Sequence, residues 1–556
     1  MKWMIVLALA ISTPALSAQF VPAAQPLAQA ARRSERAAGA VRDGLLRNEP
    51  GAFQGYTLFA PLRTKITYLI DMRGRVIHTW RSGYAPGNSA YLLDDGRLLR
   101  AAREPDPPRF RGGGIGGRVQ ILSWEGEVLW DYRYADDTQC HHHDVEPLPN
   151  GNVLLIAWET RSTAEAIAAG CDPETIGDQL WPDTVVEVRP RGKTDGDIVW
   201  RWRVWDHLVQ DQDASKANFG VVADHPERID VNFDRNVTRM SPAEAARLRD
   251  LGYVGGDDEE EDAPEKRSAD WLHTNAIAYN AKLDQIVLSV LGFNELWVID
   301  HSTTTEQAAG HRGGRYGKGG DLLYRWGNPQ ACFAGTPADQ TLFGQHDVHW
   351  IPPGSPGGGN LLVFNNGRGR EDGRYSSVDE IATPLAANGS YATSAGQDYG
   401  PPAAKWRYTS TKRGDFFAGH ISGAQRLPNG NTLICSGEKG RFFEVDTSGK
   451  IVWEYLNPYG GDVDSDRPGR GPPPQFRGDR RPPPRAAGPP PLPGDRAQPP
   501  RGQPARPPGD RRDARGPQQR GGQGPRSPTA VFRATRISPD HPGLKGKALR
   551  PKTDSD

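Results

Sequence analysis

Cysteine is nearly missing from this chain of 556 residues. There are four, Cys140, Cys171, Cys332 and Cys435, with no CxxC pair, which argues against a thiolate zinc site. One pairing, Cys140 with Cys171 across the loop after the first histidine motif, is open to a bridge in an oxidising compartment. Cys435, in the apolar stretch TLICSG, reads as a buried, inert thiol. Net charge is missing too: Lys plus Arg is 68 and Asp plus Glu is 68, so nothing argues for nucleic acid or for a strongly acidic partner. No Walker-type or GxGxxG phosphate loop is present, since GGGIGG at 112–117 precedes a strand-like segment and does not open a helix. No acidic cluster has the spacing of a calcium or magnesium site. No cofactor and no metal are therefore expected.

Long apolar runs are scarce as well. The one near the start, Trp3 to Ile11, follows Lys2 and ends in small residues around Ser17-Ala18. It is too short to span a bilayer of about 30 Å and reads as a signal peptide over residues 1–18, cleaved after Ala18. The mature protein is expected to be exported and soluble, in a periplasm if the cell is Gram-negative, with no membrane span.

What the chain does have is a repeat. His143, His273, His346 and His420 recur at matching places in HHHDVEPLPNGNVLLIAW, LHTNAIAYNAKLDQIVLSV, QHDVHWIPPGSPGGGNLLVFNN and GHISGAQRLPNGNTLICSG. A second phrase alternates with the first, running from apolar-aromatic residues through a polar turn to a β-branched residue and Trp. Its copies are TYLIDMRGRVIHTW, VQILSWEGEVLW, VVEVRPRGKTDGDIVWRW, LWVIDHSTTTEQ with DLLYRW, YSSVDEI with KWRY, and FFEVDTSGKIVWEY. Each copy reads as a β-hairpin, and the LPNGN segments supply another, because Asn-Gly readily takes the positive φ of a tight turn. Two hairpins make a four-stranded blade. About six units of roughly 50 to 80 residues predict an all-β fold, a six-bladed β-propeller with a central channel, in which blades bury their faces against one another. The Trp ending nearly every copy is expected to pack between blades.

The propeller is placed at residues 51–460, after a leader at 19–50 that is either helical or disordered. An insertion at about 210–270 includes the helical-looking SPAEAARLRDLGYV and the acidic GDDEEEDAPEK. Residues 461–527, dominated by Pro, Gly and Arg, cannot bury enough apolar surface to fold and are expected to be a disordered C-terminal insertion. Beyond it, AVFRATRI in 528–556 recovers strand-like alternation and is expected to return and close the ring. Closure by the N-terminal segment alone is the alternative.

Loops at one mouth of a propeller channel gather functional groups on a rigid scaffold. Four imidazoles in register there could ligate zinc or copper, or could hold a substrate and do acid, base or nucleophilic work. Near them FNNGRGR offers Asn365, Asn366, Arg368 and Arg370. Beside a histidine cluster, amides and a guanidinium suit a tetrahedral oxyanion such as sulfate or phosphate.

The phrases WRVWDHLVQD, LWVIDHSTTTEQ, LLYRWGNPQA, FGQHDVHWIP, LLVFNNG, YSSVDEI, GAQRLPNGNTLICSG and GRFFEVDTSGKIVWEYLNP occur in order, and with them the chain resembles the bacterial arylsulfotransferase family. The resemblance implies a six-bladed propeller that transfers a sulfuryl group from a phenolic sulfate ester to a phenolic acceptor without a nucleotide donor. It further implies a ping-pong course through a sulfohistidine. By motif position it makes His420 the nucleophile and His346 a second active-site histidine, with His273 or His143 a third. It also implies Arg368, with Arg370 as the neighbouring choice, as the sulfate-binding arginine; Asn365 and Asn366 join it as substrate-binding candidates. Enterobacterial members carry a cysteine pair shortly before the nucleophile, whereas TSTKRGDFFAGH has none. They also carry an N-terminal β-domain used for dimerisation, which has no counterpart here, so the oligomeric state is left open.

The chemistry is consistent with these roles. Neutral imidazole is a competent nucleophile near pH 7, a covalent intermediate divides the transfer into two steps, and a second histidine can move the phenol proton. Two other readings stand beside this one: a non-catalytic propeller that binds anionic aromatic or glycan ligands, and a metal- or quinone-dependent oxidoreductase.

Overall fold

In the computed structural model the described residues are 44–105, 109–110, 112–233, 247, 267–392, 399–461 and 529–552. The signal peptide, residues 19–43 of the leader, nearly all of SPAEAARLRDLGYV, the acidic run and residues 462–527 lie outside them.

Alternating apolar residues and tight turns build six antiparallel four-stranded sheets arranged as a propeller. Blade II comprises Pro86–Leu92, Leu98–Arg103, Gly117–Leu122 and Val128–Arg133. Blade III comprises Gln139–Pro147, Val153–Glu159, Asp183–Arg191 and Asp195–Arg203. Blade IV is Thr274–Asn280, Gln285–Val290, Glu295–Asp300 and Tyr324–Trp326, and blade V is His346–Trp350, Leu361–Asn365, Ser377–Ile381 and Trp406–Tyr408. Blade VI runs Gly423–Arg426, Thr432–Ser436, Arg441–Val445 and Ile451–Leu456. The first strand of each of these blades is innermost, and the inner strands touch one another around the channel.

Blade I is assembled from both ends of the described chain. Its three outer strands are Tyr56–Pro61, Ile66–Ile70 and Val76–Arg81, and its inner strand is Val531–Ile537, paired antiparallel to Tyr56–Pro61. At the other side of the seam Gly44–Asn48 adds a fifth strand to the outer edge of blade VI. The end of the leader is therefore a strand, because the exposed backbone edge of Ile451–Leu456 offers it hydrogen-bond partners that its own sequence does not reveal.

The apolar core is divided into six layers, one per blade interface. Successive residues of one strand face opposite neighbours: Leu154 and Ile156 pack toward blade IV with Ile286, Leu288 and Trp297, while Val153 and Leu155 pack toward blade II with Leu99 and Val119. This two-sided burial explains why the strands read as nearly continuous apolar runs. The repeated tryptophans tie the layers together by donating indole N–H groups to the next blade: Trp130 to the carbonyl of Asp195, Trp202 to Gly320, Trp326 to Pro401 and Trp453 to Met72, at 2.7–3.0 Å.

The bridge envisaged between Cys140 and Cys171 does not form. All four cysteines are free and buried, Cys140 beside Phe110 and Trp158, Cys171 in the separate layer between blades III and IV. Burial pushes their thiols up to about 12 and about 11 respectively. No helix among the described residues is long and apolar enough to cross a membrane.

Candidate functional site

At the beginnings of the inner strands the backbone is irregular. Five blades hold a non-glycine residue at positive φ there: Asn88, His143, His273, Asp347, and Ile421 with Ser422, with φ between 46° and 100°. Pairing with the next strand slips near these points in blades II to V. A bulge of this kind re-aims side chains, and residues held in this sparsely populated region concentrate at functional sites. In blades III to VI its effect is to turn one imidazole per blade toward one end of the channel.

His143, His273, His346 and His420 are brought together there. The rings of His143 and His273 lie 4.5 Å apart, edge to face. Phe532, from the closing strand, sits between blades with its ring 6.3 Å from His143 and 6.4 Å from His346. Burial first, then the neighbouring imidazoles His273, His142, His346 and His141, hold His143 well below the ordinary histidine range. His346 is lowered to about 3, again chiefly by burial, with His273 and His420 adding to it against the opposing hydrogen bond of Asn366. Both rings are neutral at pH 7.

Each ring is oriented from behind. His346 Nδ1 faces two acceptors, Asn366 Oδ1 at 2.8 Å and the carbonyl of Gly344 at 3.1 Å, so this nitrogen carries the proton and Nε2 carries the lone pair. That buried Nε2 has no protein partner among the described residues. His273 Nδ1 donates to Asp270 Oδ2 at 2.5 Å, while Trp158 donates to the other carboxylate oxygen. Burial works to raise the Asp270 carboxyl, but His273, with help from His142 and Trp158, holds it below its ordinary range. Behind His143 runs a relay: His142 donates through Nε2 to Asp183 Oδ1 at 3.1 Å, and its Nδ1 lies 2.7 Å from His143 Nδ1. A carboxylate only accepts, so in the neutral pair His142 receives the His143 proton at Nδ1.

The Gly-rich segment 112–117 packs against these histidines. A Cβ on Gly114 would lie 2.1 Å from His143 Nε2, and one on Gly116 would lie 2.3 Å from His141 Nδ1, so only glycine fits.

Arg368 is the guanidinium at the cluster: its Nη1 stands 3.5 Å from His420 Nδ1. Because a guanidinium only donates, His420 Nδ1 is the acceptor in this contact. The His420 backbone N–H donates to the buried carboxylate of Glu438, fixing the loop. Arg370 is engaged elsewhere, donating to Ser377 and stacked over Phe343 and Tyr375. Asn366 holds His346 and donates to the carbonyls of Ala418 and Ile421 on either side of His420. Asn365 donates to Thr341 and Asp379 and accepts from the Phe343 N–H, so its amide is occupied by scaffold. Sequence reading passed over His142, Asp183, Asp270, Glu438 and Phe532; only the second His of HHHD and the Asp three residues before His273 left any trace in the primary pattern.

Below the histidines Arg533 spans the channel. It pairs with Asp144 at 3.0 Å and Asp347 at 2.7 Å, and Tyr91 donates to Asp144 at 2.7 Å. The closing strand thereby delivers both Phe532 to the site and Arg533 to the carboxylates that follow His143 and His346.

The six-bladed propeller thus gathers imidazoles and a guanidinium at one end of its channel. The chain belongs to the arylsulfotransferase (ASST) family, whose pattern matches residues 56–455. The family supports aryl sulfotransferase activity in general, with small-molecule aryl sulfate and phenol substrates. A search of curated proteins gave no match. Among solved structures, the chain is similar to a protein of unknown function from Bacteroides caccae, with 12% identity over 73% of this chain and 94% of that one and a TM-score of 0.36. It is also similar to the periplasmic gluconolactonase of Pseudomonas aeruginosa, with 12% identity, 73% and 97% coverage and a TM-score of 0.33. Virginiamycin B lyase from Staphylococcus aureus follows, with 8% identity, 74% and 88% coverage and 0.31. Likenesses this distant carry no functional argument.

Proposed function

We propose that this protein transfers a sulfuryl group from a phenolic sulfate ester to a phenol by a ping-pong course through a sulfohistidine on His420. The observation that carries the reading is the pairing of His420 Nδ1 with Arg368 at 3.5 Å, beside the partnerless lone pair of His346 Nε2. A sulfate ester entering between Arg368 and His420 places its anionic oxygens on the guanidinium and its sulfur against the imidazole.

In the first half-reaction the His420 lone pair forms the N–S bond as the bond between sulfur and the phenolic oxygen breaks. The released electron pair stays on the phenolic oxygen, which takes a proton from the imidazolium form of His346. That proton enters with the donor, since the anion placed beside His346 favours its charged form. In the second half-reaction His346 takes the proton of the incoming phenol, whose oxygen attacks sulfur and frees His420. His143, held by the His142–Asp183 relay, binds a sulfuryl oxygen through Nε2–H once the incoming anion has favoured its charged form, and Asp270 holds His273 beside it. Residues 51–460 with the closing strand form the catalytic unit, exported by way of the segment at 1–18.

The test mixes the purified mature protein with a chromogenic aryl sulfate, with and without a phenol acceptor, beside His420→Ala. Chromophore release that depends on acceptor and on His420, with a sulfuryl mass adduct on that residue, is expected. Acceptor-independent release into water would make it a sulfatase, and binding without release would make it a non-catalytic receptor.

A further inference from the structure

We propose that His207, His311 and Asp321, on the outer side of blades III and IV, form a binding site for a divalent transition cation, zinc by the chemistry of the donors. His207 closes the turn Val204–His207 that follows the last strand of blade III. His311 and Asp321 lie in the stretch between the short helix Thr305–Ala308 and the strand Tyr324–Trp326 of blade IV. The three donor atoms lie within 4.8 Å of one another, and among the described residues no other group of histidine, cysteine or acidic side chains has such an arrangement.

His207 Nε2 is 2.8 Å from the carbonyl of Ala308, which can only accept, so Nε2 carries the hydrogen. The Nδ1 of the neutral ring then bears a lone pair, and it faces Asp321 Oδ1 at 2.9 Å. His311 Nδ1 faces the same oxygen at 2.8 Å. In the neutral ring the His207 Nδ1 lone pair faces the Asp321 oxygen, which His311 can reach with an Nδ1–H. Two imidazole nitrogens and a carboxylate oxygen, one of the rings fully buried, thus lie within reach of a single ion, which would satisfy the His207 lone pair and the carboxylate together.

The surroundings are those of a metal ligand. A metal-bound histidine commonly donates its other ring nitrogen to a backbone carbonyl, as His207 does to Ala308. Trp202 stacks on the His207 ring at 5.7 Å and donates to the carbonyl of Gly320. A Cβ on Gly320 would lie 2.6 Å from His207 Nε2 and 2.0 Å from the Ala308 oxygen, so glycine is what lets the loop close on the imidazole. Two imidazoles and a carboxylate are ordinary zinc donors. The separations of 2.8 and 2.9 Å fall a few tenths of an ångström short of the about 3.3 Å edge of a tetrahedron built on zinc bonds of about 2.0–2.1 Å, an opening the half-exposed His311 accommodates. Bound at this site, the ion clips blade III to the blade IV loop and stabilises the folded chain by mass action.

The test uses full-length protein stripped with a chelator, reloaded with zinc and freed of excess metal, comparing wild type, His311→Ala, Asp321→Asn and His420→Ala. The site predicts one more zinc per chain in the wild type and His420→Ala than in the other two variants, and a zinc-dependent rise in Tm of a few degrees that those two lose. Cobalt added to stripped protein is expected to give a visible band that disappears in the same variants. His311 is 44% exposed, so its replacement is tolerated by the fold, and circular dichroism checks this. Equal zinc content and equal Tm response in wild type and His311→Ala would overturn the assignment. A loss confined to His420→Ala would move the metal to the channel histidines and overturn it as well.

Discussion

Asn366 Oδ1 accepts a hydrogen bond from His346 Nδ1 at 2.8 Å, while the same amide donates to the carbonyls on either side of His420. One side chain thus sets the tautomer of one histidine and the position of another. Asn366→Ala is expected to slow transfer about 10- to 100-fold, the scale of misplaced acid–base catalysis, and to cost about 1–3 kcal/mol of stability for the carbonyls it strands. Asn366→Asp adds a carboxylate beside His346 Nδ1 and should raise its pKa, shifting the acid limb of the pH–rate profile upward. Steady-state kinetics against pH distinguishes the two; an unshifted profile in Asn366→Asp would remove His346 from proton transfer.

Donor binding should take up protons. His346 is lowered to about 3 and His143 well below its ordinary range, both mainly by burial, and an anion placed among them favours the charged forms. Affinity for an aryl sulfate is therefore expected to tighten as pH falls from 8 to 6. Calorimetry in buffers of different ionisation enthalpy reads the proton uptake directly.

His301 joins blades III and IV as a buried cation. Its Nδ1 lies 2.8 Å from Asp284 and its Nε2 lies 3.0 Å from Glu187; burial opposes the charge, but these two hydrogen bonds carry the pKa up to about 9. Since the folded value is raised above the ordinary 6.5, the stabilisation is complete below about pH 6.5 and is lost as pH climbs through about 9. The loss expected across that window is about 2–3 kcal/mol, read by urea unfolding, and His301→Gln should flatten it.

Arg533→Met should destabilise the chain by about 3–5 kcal/mol at pH 7, because it leaves Asp144 and Asp347 buried without their cation. Burial already raises the Asp347 carboxyl, and its protonation neutralises one of the stranded charges, so the deficit is expected to shrink toward pH 5. Denaturant midpoints at the two pH values measure this.

The buried thiols should be silent to a thiol reagent in native protein and all four should react in denaturant without prior reduction. A titration with fewer than four would restore a disulfide.

The blades were legible because their signals are local. Apolar alternation, Asn-Gly turns and the closing Trp of TYLIDMRGRVIHTW or FFEVDTSGKIVWEY act within a dozen residues, and the repeat multiplies them. The in-register histidines were legible for the same reason. The closing role of Val531–Ile537 left a signal in its own alternation, but Arg533 could not be tied to Asp144, 389 positions away, until the ring was closed.

By itself the sequence determined a six-bladed propeller with an imagined ring of four imidazoles and a guanidinium near them, since period-two burial and turn chemistry depend only on neighbours along the chain. Tertiary structure alone decided which atoms those groups offer: Arg368 rather than Arg370 faces His420, Asn366 serves His346 while Asn365 serves the scaffold, and Asp183 reaches His142 across 41 positions. Hydrogen-bond direction and burial arise where blades meet, between residues that no local pattern relates, and they set the tautomers and charges on which the chemistry rests.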